Sequence, residues 1–166
     1  NNNTYVSSWL QKGQTIFGED EQGDAGWSVS ISNDGNIIAI GAPGNHASNG
    51  WYSGTGHARV YYYSGSSWSQ IGQDIDGEAA GDYSGYSVSL SDNGYTIAIG
   101  AHNNDGNGNQ TGHVRIYEFN GSWTQVGQDI DGEYQPDPNI SDDTQFGQAV
   151  SISGDGNKVA ALSPPI

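Results

Sequence analysis

Two acidic segments of this 166-residue chain carry the side chains that a calcium ion requires. In each segment, carboxylates alternate with other residues around a glycine, as in Asp74-Ile75-Asp76-Gly77-Glu78 and Asp129-Ile130-Asp131-Gly132-Glu133. Ca²⁺ takes about six to eight oxygen ligands in flexible geometry, so such an alternation can surround it. The candidate ligands are Asp74, Asp76, Glu78 and Asp82 in the first segment, and Asp129, Asp131 and Glu133, with Asp142 or Asp143, in the second. The alternative is a solvated acidic turn in which Glu78 or Asp82 accepts backbone N–H hydrogen bonds.

A second place for the same ion is the loop 103–109, where asparagines alternate with other residues. Asp105 is the only charged side chain in this loop. Calcium affinity falls with the number of charged ligands, so we expect a polar surface loop here, with calcium as the alternative.

Four sequons for N-glycosylation begin at Asn2, Asn109, Asn120 and Asn139. All four lie in predicted loops, turns or the N-terminal tail. We expect Asn120, at a hairpin tip, and Asn109, in a long loop, to be accessible. In a secreted eukaryotic chain they predict attached glycans; in an Asn-rich bacterial chain they arise by chance.

Aromatic residues offer a further kind of site, because sugar rings stack on exposed indole and phenol rings. Trp51 and Tyr52 lie in a loop that lacks an equivalent in the second repeat, so they are the candidates for contact with a ligand such as a glycan. Three other tryptophans, Trp9, Trp68 and Trp123, recur at intervals of 59 and 55 residues. We expect these three to pack between repeated units.

Histidine and arginine also recur at equivalent places, as His57 with Arg59 and His113 with Arg115. A catalytic residue is normally needed once, whereas a structural position recurs in each unit. We therefore expect the arginines to pair with acidic residues between units, such as Glu78 or Glu133. No catalytic residue is predicted, because the sequence contains no Gly-x-Ser-x-Gly elbow, no phosphate-binding loop and no His-Glu-x-x-His.

Charge and composition exclude several classes of protein. The 19 acidic and 4 basic residues give a net charge of −15, which repels nucleic acid and anionic membranes. Without cysteine there is no disulfide, thiolate metal site or cysteine nucleophile, so any metal must be bound by oxygen or histidine. No apolar run approaches the roughly 18 residues of a membrane span, so membrane insertion is not expected. The 5 Trp and 10 Tyr supply the apolar surface for a folded core.

These candidate residues lie on nearly three copies of one unit. Ser28-Val29-Ser30-Ile31-Ser32 recurs as Ser87-Val88-Ser89-Leu90-Ser91 and as Ala149-Val150-Ser151-Ile152-Ser153. Each copy continues through a turn rich in Gly and Asx to an apolar run such as Ile37 to Ile40. The first two copies continue through a long loop to a third strand and a fourth strand, whereas the third copy has only the first two strands. We expect the second strand, apolar on both faces, to be the most buried. No segment shows helical periodicity.

Four antiparallel strands repeated at 55 to 62 residues predict an all-β fold of β-propeller blades. A right-handed β-solenoid is the rival fold, although its repeats are usually shorter. The predicted parts of this single repeat region, 1–166, are a fourth-type strand at 8–16, repeats at 26–75 and 85–130, and a partial repeat at 146–163. Because a closed ring needs about 4–8 blades, we expect either further blades in a longer chain or assembly between chains.

Three motifs resemble the FG-GAP repeat, the blade unit of the integrin α-subunit head and of many secreted microbial and algal proteins. They are Phe146-Gly147, Gly41-Ala42-Pro43 and Gly56-x-Ala58-x-Val60-Tyr61. The resemblance implies a β-propeller at the cell surface or outside the cell. Together with the repeats it predicts a non-enzymatic structural or adhesive module, a building block of a surface assembly or filament. A lectin-like propeller using Trp51 and Tyr52, or a calcium-dependent adhesion domain, is the alternative.

Overall fold

The computed structural model describes residues 8–19, 23–45, 54–133 and 144–163. Their secondary structure consists of β-strands, as predicted. The strands are β1 (Ser28–Ile31), β2 (Ile37–Ala42), β3 (His57–Tyr63), β4 (Trp68–Gln70), β5 (Ile75–Asp76), β6 (Ser87–Leu90), β7 (Thr96–Ala101), β8 (His113–Phe119), β9 (Trp123–Gln125), β10 (Ile130–Asp131), β11 (Ala149–Ile152) and β12 (Val159–Leu162).

The strands form three antiparallel sheets that correspond to the three copies of the repeat. The first has the order β1-β2-β3-β4, the second contains β6-β7-β8 with β9, and the third consists of β11 and β12. The register of the first two strands is the same in each, with Ser28 opposite Gly41, Ser87 opposite Gly100 and Ala149 opposite Leu162. Strands β5 and β10 pair with the other ends of β3 and β8, so the predicted fourth strand is split in two. We call the first two sheets blade 1 and blade 2, and the third the partial blade.

The turn between the first two strands is closed by side chains. In blade 1 the Asp34 carboxylate accepts hydrogen bonds from the Ser32 hydroxyl at 2.7 Å and the Asn36 backbone N–H at 2.9 Å. These hydrogen bonds lower the pKa of Asp34 to about 2. Asn93 and Asp155 accept the equivalent bonds in the other two copies, so the turn chemistry is shared by all three.

Packing between the sheets forms the core. Ile37 and Val60 of blade 1 pack against Val88, Leu90 and other apolar residues of blade 2. A second cluster joins blade 2 to the partial blade. Every residue of β7 is buried, which agrees with the expectation for the second strand of the unit. The described residues include no helix long and apolar enough to cross a lipid bilayer.

One predicted element is not formed. Residues 8–19 have no strand assignment, although a fourth-type strand was predicted at 8–16. An outer strand obtains its hydrogen bonds from the third strand of its own sheet. No such strand pairs with this segment in the part of the chain that is described, and the segment instead lies beside β4, where Gln14 binds Trp68.

Candidate functional site

The joints between blades are the most regular feature of the structure. The inner strands β1, β6 and β11 pack side by side, and one side chain hydrogen bond recurs between each pair. The Ser30 hydroxyl accepts the Leu90 backbone N–H at 2.9 Å, and Ser89 accepts that of Ile152 at 3.0 Å. The joint from blade 1 to blade 2 is therefore repeated from blade 2 to the partial blade.

Glycine lets the backbones of neighbouring blades approach closely at the same joint. A Cβ atom on Gly41 would lie 2.0 Å from the Gly85 carbonyl oxygen of the next blade. A Cβ atom on Gly100 would lie 2.0 Å from the Gly147 carbonyl oxygen. The Gly-Ala element of the repeat is thus required for packing between blades.

A tryptophan on each outer strand is bound by a glutamine of the preceding repeat. Gln14 Nε2 donates to the Trp68 carbonyl at 2.8 Å, and its Oε1 accepts the Trp68 N–H at 2.8 Å. Gln73 makes the same two bonds to Trp123, at 2.8 and 3.2 Å. The predicted packing role between units is confirmed for Trp68 and Trp123. It is wrong for Trp9 within one chain, because Trp9 is 96% exposed.

Each of these indole rings also packs on a glycine of the preceding repeat. A Cβ atom on Gly13 would lie 2.9 Å from the Trp68 ring, and one on Gly72 would lie 2.7 Å from the Trp123 ring. The equivalent of these two glycines in the third copy is Gly127, which has no heavy atom within 4 Å of the same position. We call each glycine with the glutamine that follows it a tryptophan seat, so Gly127 and Gln128 form an empty seat among the described residues.

The arginine of blade 1 lies between two carboxylates. Arg59, which is 9% exposed, donates from Nη2 to Asp74 Oδ2 at 2.9 Å and forms an ion pair with Glu19. Burial raises the pKa of the Asp74 carboxyl, but hydrogen bonds from Arg59 and Gln70 outweigh it, so the pKa is lowered.

The arginine of blade 2 binds the preceding repeat, as predicted. Arg115 Nη1 lies 3.6 Å from Glu78 Oε1, and its Nη2 donates to the Asp76 carbonyl at 2.8 Å. The alternative partner Glu133 forms no ion pair among the described residues. It would meet the arginine of a following blade if the pattern continued.

The two repeated histidines are buried and differ in their partners. His57 Nδ1 contacts the Asn45 side chain amide. His113 Nδ1 has no hydrogen-bond partner among the described residues and lies 3.7 Å from Asp129 Oδ2 and 3.9 Å from Glu78 Oε2. Burial, and then the nearby Arg115 charge, lower the pKa of His113, and burial likewise lowers that of His57.

The predicted calcium ligands are distributed over different partners. Asp82 accepts hydrogen bonds from the Ala79 N–H at 3.1 Å and from the Asn104 side chain amide at 2.8 Å. The backbone bond is the one expected if this segment is an acidic turn and not a calcium site. Within the described residues, the groups that could hold a metal ion are Glu19 with His57 and Asp74, and Glu78 with His113 and Asp129. The sequence analysis named Asp74, Glu78 and Asp129 as candidate ligands, but it did not name the two histidines or Glu19. Asp76, Asp131 and Glu133 belong to neither group, Asp142 and Asp143 lie outside the described residues, and calcium binding stays a prediction.

Two of the four glycosylation candidates lie within the described residues and two lie outside them. Asn109 and Asn120 are both exposed, and Asn120 lies at the tip of the β8–β9 hairpin. Asn2 and Asn139 lie outside the described residues, as do Trp51 and Tyr52. Modification at these sites stays a prediction.

A cavity that sequence reasoning missed lies at one end of the sheets, where β1, β6 and β11 begin. Its volume is about 330 Å³, and it is lined by residues from all three copies, among them Asp24, Tyr83 and Gln145. These three occupy the same place in the repeat but differ in type, so the sequence showed no motif.

Comparison with known proteins confirms the resemblance over part of the chain. Residues 75–117 match the family model of the FG-GAP repeat. FG-GAP repeats are β-propeller blades, so the predicted all-β fold of propeller blades is confirmed. A search of curated protein sequences finds no significant match.

Two solved structures share the fold at low sequence identity. One is the Kuenenia stuttgartiensis hydrazine synthase, with a TM-score of 0.50 and 10% identity over 93% of this chain and 32% of that chain. The other is the complex of KlAtg21 with the coiled coil of AgAtg16, with a TM-score of 0.53 and 14% identity over 82% of this chain and 36% of that chain. The chain therefore spans about a third of the length of these structures.

Proposed function

We propose that this chain is a non-enzymatic, extracellular structural or adhesive module, a building block of a surface assembly. Its blades join through the repeated contacts described above, and its end surfaces bind further blades of the same repeat in a second copy of the chain.

The observation that carries the proposal is the pairing of an unseated tryptophan with an empty seat. Trp9, equivalent to Trp68 and Trp123, is 96% exposed, whereas Trp123 is 4% exposed. Gly127 and Gln128 form the empty tryptophan seat. A contact between Trp9 of one copy and the seat of another would repeat the two joints already present within the chain.

The inner strands support the same conclusion. Val29 and Ile31 of β1 are 68% and 61% exposed, while the equivalent Val88 and Leu90 of β6 are 8% and 7% exposed. Contiguous exposed apolar residues mark surfaces that bind other proteins. The face of β1 is therefore suited to the blade that would precede it.

Several properties support the extracellular and non-enzymatic parts of the proposal. Secreted eukaryotic chains carry glycans at accessible sequons, and Asn120 is exposed at a hairpin tip. Three of the four repeated polar residues, Arg59, Arg115 and His57, are held by protein partners in their own blade or the preceding repeat.

Sedimentation velocity of the purified chain over a wide concentration range tests this function. We expect the mass to rise with concentration from the 17.5 kDa of one chain. Trp68→Ala is the matched control for Trp9→Ala, because it removes the same side chain from an internal joint. Trp9→Ala should reduce association at unchanged stability, whereas Trp68→Ala should reduce stability. A single mass of 17.5 kDa at every concentration would contradict the proposal.

A further inference from the structure

The cavity where β1, β6 and β11 begin contains an unusual concentration of strained backbone. Non-glycine residues rarely adopt positive φ, because their Cβ atoms then crowd the backbone. In the described residues this conformation occurs at Asp24 (φ 53°), Tyr83 (φ 58°), Gln110 (φ 51°) and Gln145 (φ 49°). All four line this one cavity.

Three of the strained residues are repeat equivalents. Asp24, Tyr83 and Gln145 each stand two residues before a glycine that also has positive φ. Glycine would adopt this conformation without strain, so folding alone does not require a side chain at these places. Strained residues cluster at ligand-binding sites, where the surrounding fold holds a side chain in a useful position.

Aromatic rings form one wall of the cavity. The ring centroids of Trp27 and Tyr86 are 5.3 Å apart, and those of Tyr86 and His102 are 4.1 Å apart. Trp27 is 57% exposed, so part of its ring surface is available to a ligand. Aromatic faces of this kind bind the C–H surface of an uncharged ring as well as cations.

The other lining side chains decide between those ligands. Asn103 and Gln110 each offer an amide donor and acceptor, and Asp24 adds a carboxylate. Gln145 offers its amide donor, since its side chain oxygen accepts a hydrogen bond from Gln148 Nε2. Hydroxyl groups use both donors and acceptors, whereas a cation uses acceptors alone. The described residues of the lining include no Lys or Arg, and the net charge of −15 disfavours anionic ligands.

We propose that this cavity binds a neutral saccharide, with the Trp27 face under the sugar ring and the amides and Asp24 on its hydroxyl groups. The volume of about 330 Å³ lies at the lower end of the roughly 300–1,000 Å³ typical of small-molecule sites. A terminal sugar residue fits that size. The proposal uses only described residues, and it does not depend on self-association.

Saturation-transfer NMR and tryptophan fluorescence test the proposal with methyl glycosides of glucose, galactose, mannose and N-acetylglucosamine. At least one of the four should bind, and Trp27→Ala should weaken its binding about tenfold. Tyr62→Ala is the matched control, because Tyr62 is a similarly exposed aromatic residue, 43% exposed, that does not line the cavity. The measurements are repeated with Gln128→Ala, which removes a residue of the empty seat and not of the cavity. Sugar binding should be unchanged in this variant, so a loss of sugar binding can be told apart from a loss of assembly.

A second variant separates binding from folding. Gln145→Gly removes a strained side chain and should raise the melting temperature while weakening sugar binding about tenfold or more. The proposal is overturned if none of the four glycosides binds, or if binding is unchanged in both Trp27→Ala and Gln145→Gly. Binding of tetramethylammonium in place of every sugar also overturns it, since the site would then recognise a cation.

Discussion

The Gln73 side chain binds both backbone groups of Trp123 in the next repeat, donating to its carbonyl at 2.8 Å and accepting its N–H at 3.2 Å. The same pair of bonds joins Gln14 to Trp68. This relationship defines the blade joint more sharply than apolar packing does, because it fixes one blade relative to the next along the strand direction.

Gln73→Ala should lower the free energy of unfolding by about 1–2 kcal/mol, because two hydrogen bonds across a joint are lost. Gln128→Ala removes the equivalent side chain at the empty seat and should change the free energy of unfolding by less than about 0.5 kcal/mol. Urea denaturation of the two variants under conditions that keep the chain monomeric gives both numbers. Equal losses would contradict the assignment of Gln73 as a joint residue.

The buried histidines predict a pH dependence of stability. The pKa of His113 in the folded chain is lowered from 6.5, so the unfolded chain binds more protons between the two values. The free energy of unfolding should therefore fall as pH decreases through 6.5 towards the folded pKa. Urea denaturation between pH 8 and pH 5 measures this fall, and His113→Gln should make it shallower. A chain that becomes more stable over this range on acidification would show that Asp129 and Glu78 hold the charged imidazolium instead.

Gly94 should be intolerant of a side chain. It has φ +74°, and a Cβ atom there would lie 2.7 Å from Ile37 Cβ in blade 1. Gly121 has φ +87° with open space around it, so Gly121→Ala measures the backbone cost alone, about 1–2 kcal/mol. Thermal denaturation should show a larger loss for Gly94→Ala, by about 1–3 kcal/mol, because overpacking is added. Equal losses of stability in the two variants would contradict this prediction, because they would mean that Ile37 moves away from the added Cβ atom at little cost.

The predicted calcium ligands lead to a chelation experiment. Asp74 is bound by Arg59 and Gln70, and Glu78 lies beside Arg115, whose charge opposes a divalent cation. We therefore expect the melting temperature to be the same in calcium and in chelator. A fall in chelator that calcium reverses, and that Asp129→Asn abolishes, would instead establish a calcium site at Glu78, His113 and Asp129.

The sequence predicted the strands because the repeat places alternating apolar residues and Gly-Asx turns at matching positions. It did not predict the division of the outer strand into β4 and β5, which depends on the backbone groups that β3 can reach. It also did not predict that residues 8–16 form no strand, because this depends on whether a third strand pairs with them, and none does among the described residues. The cavity could not be predicted either. Its residues come from three repeats, and the positive φ of Tyr83 follows from the surrounding packing and not from residue type.

We propose that Trp9 of one copy occupies the seat of Gly127 and Gln128 in another. The most direct test is the Trp9 indole N–H signal in an NMR spectrum recorded at increasing protein concentration, with Trp9→Phe used to assign it. We predict that the signal shifts and that its exchange with water slows as concentration rises, and that Gln128→Ala abolishes both changes. A Trp9 indole that stays exposed to water while the particle mass increases would contradict the claim.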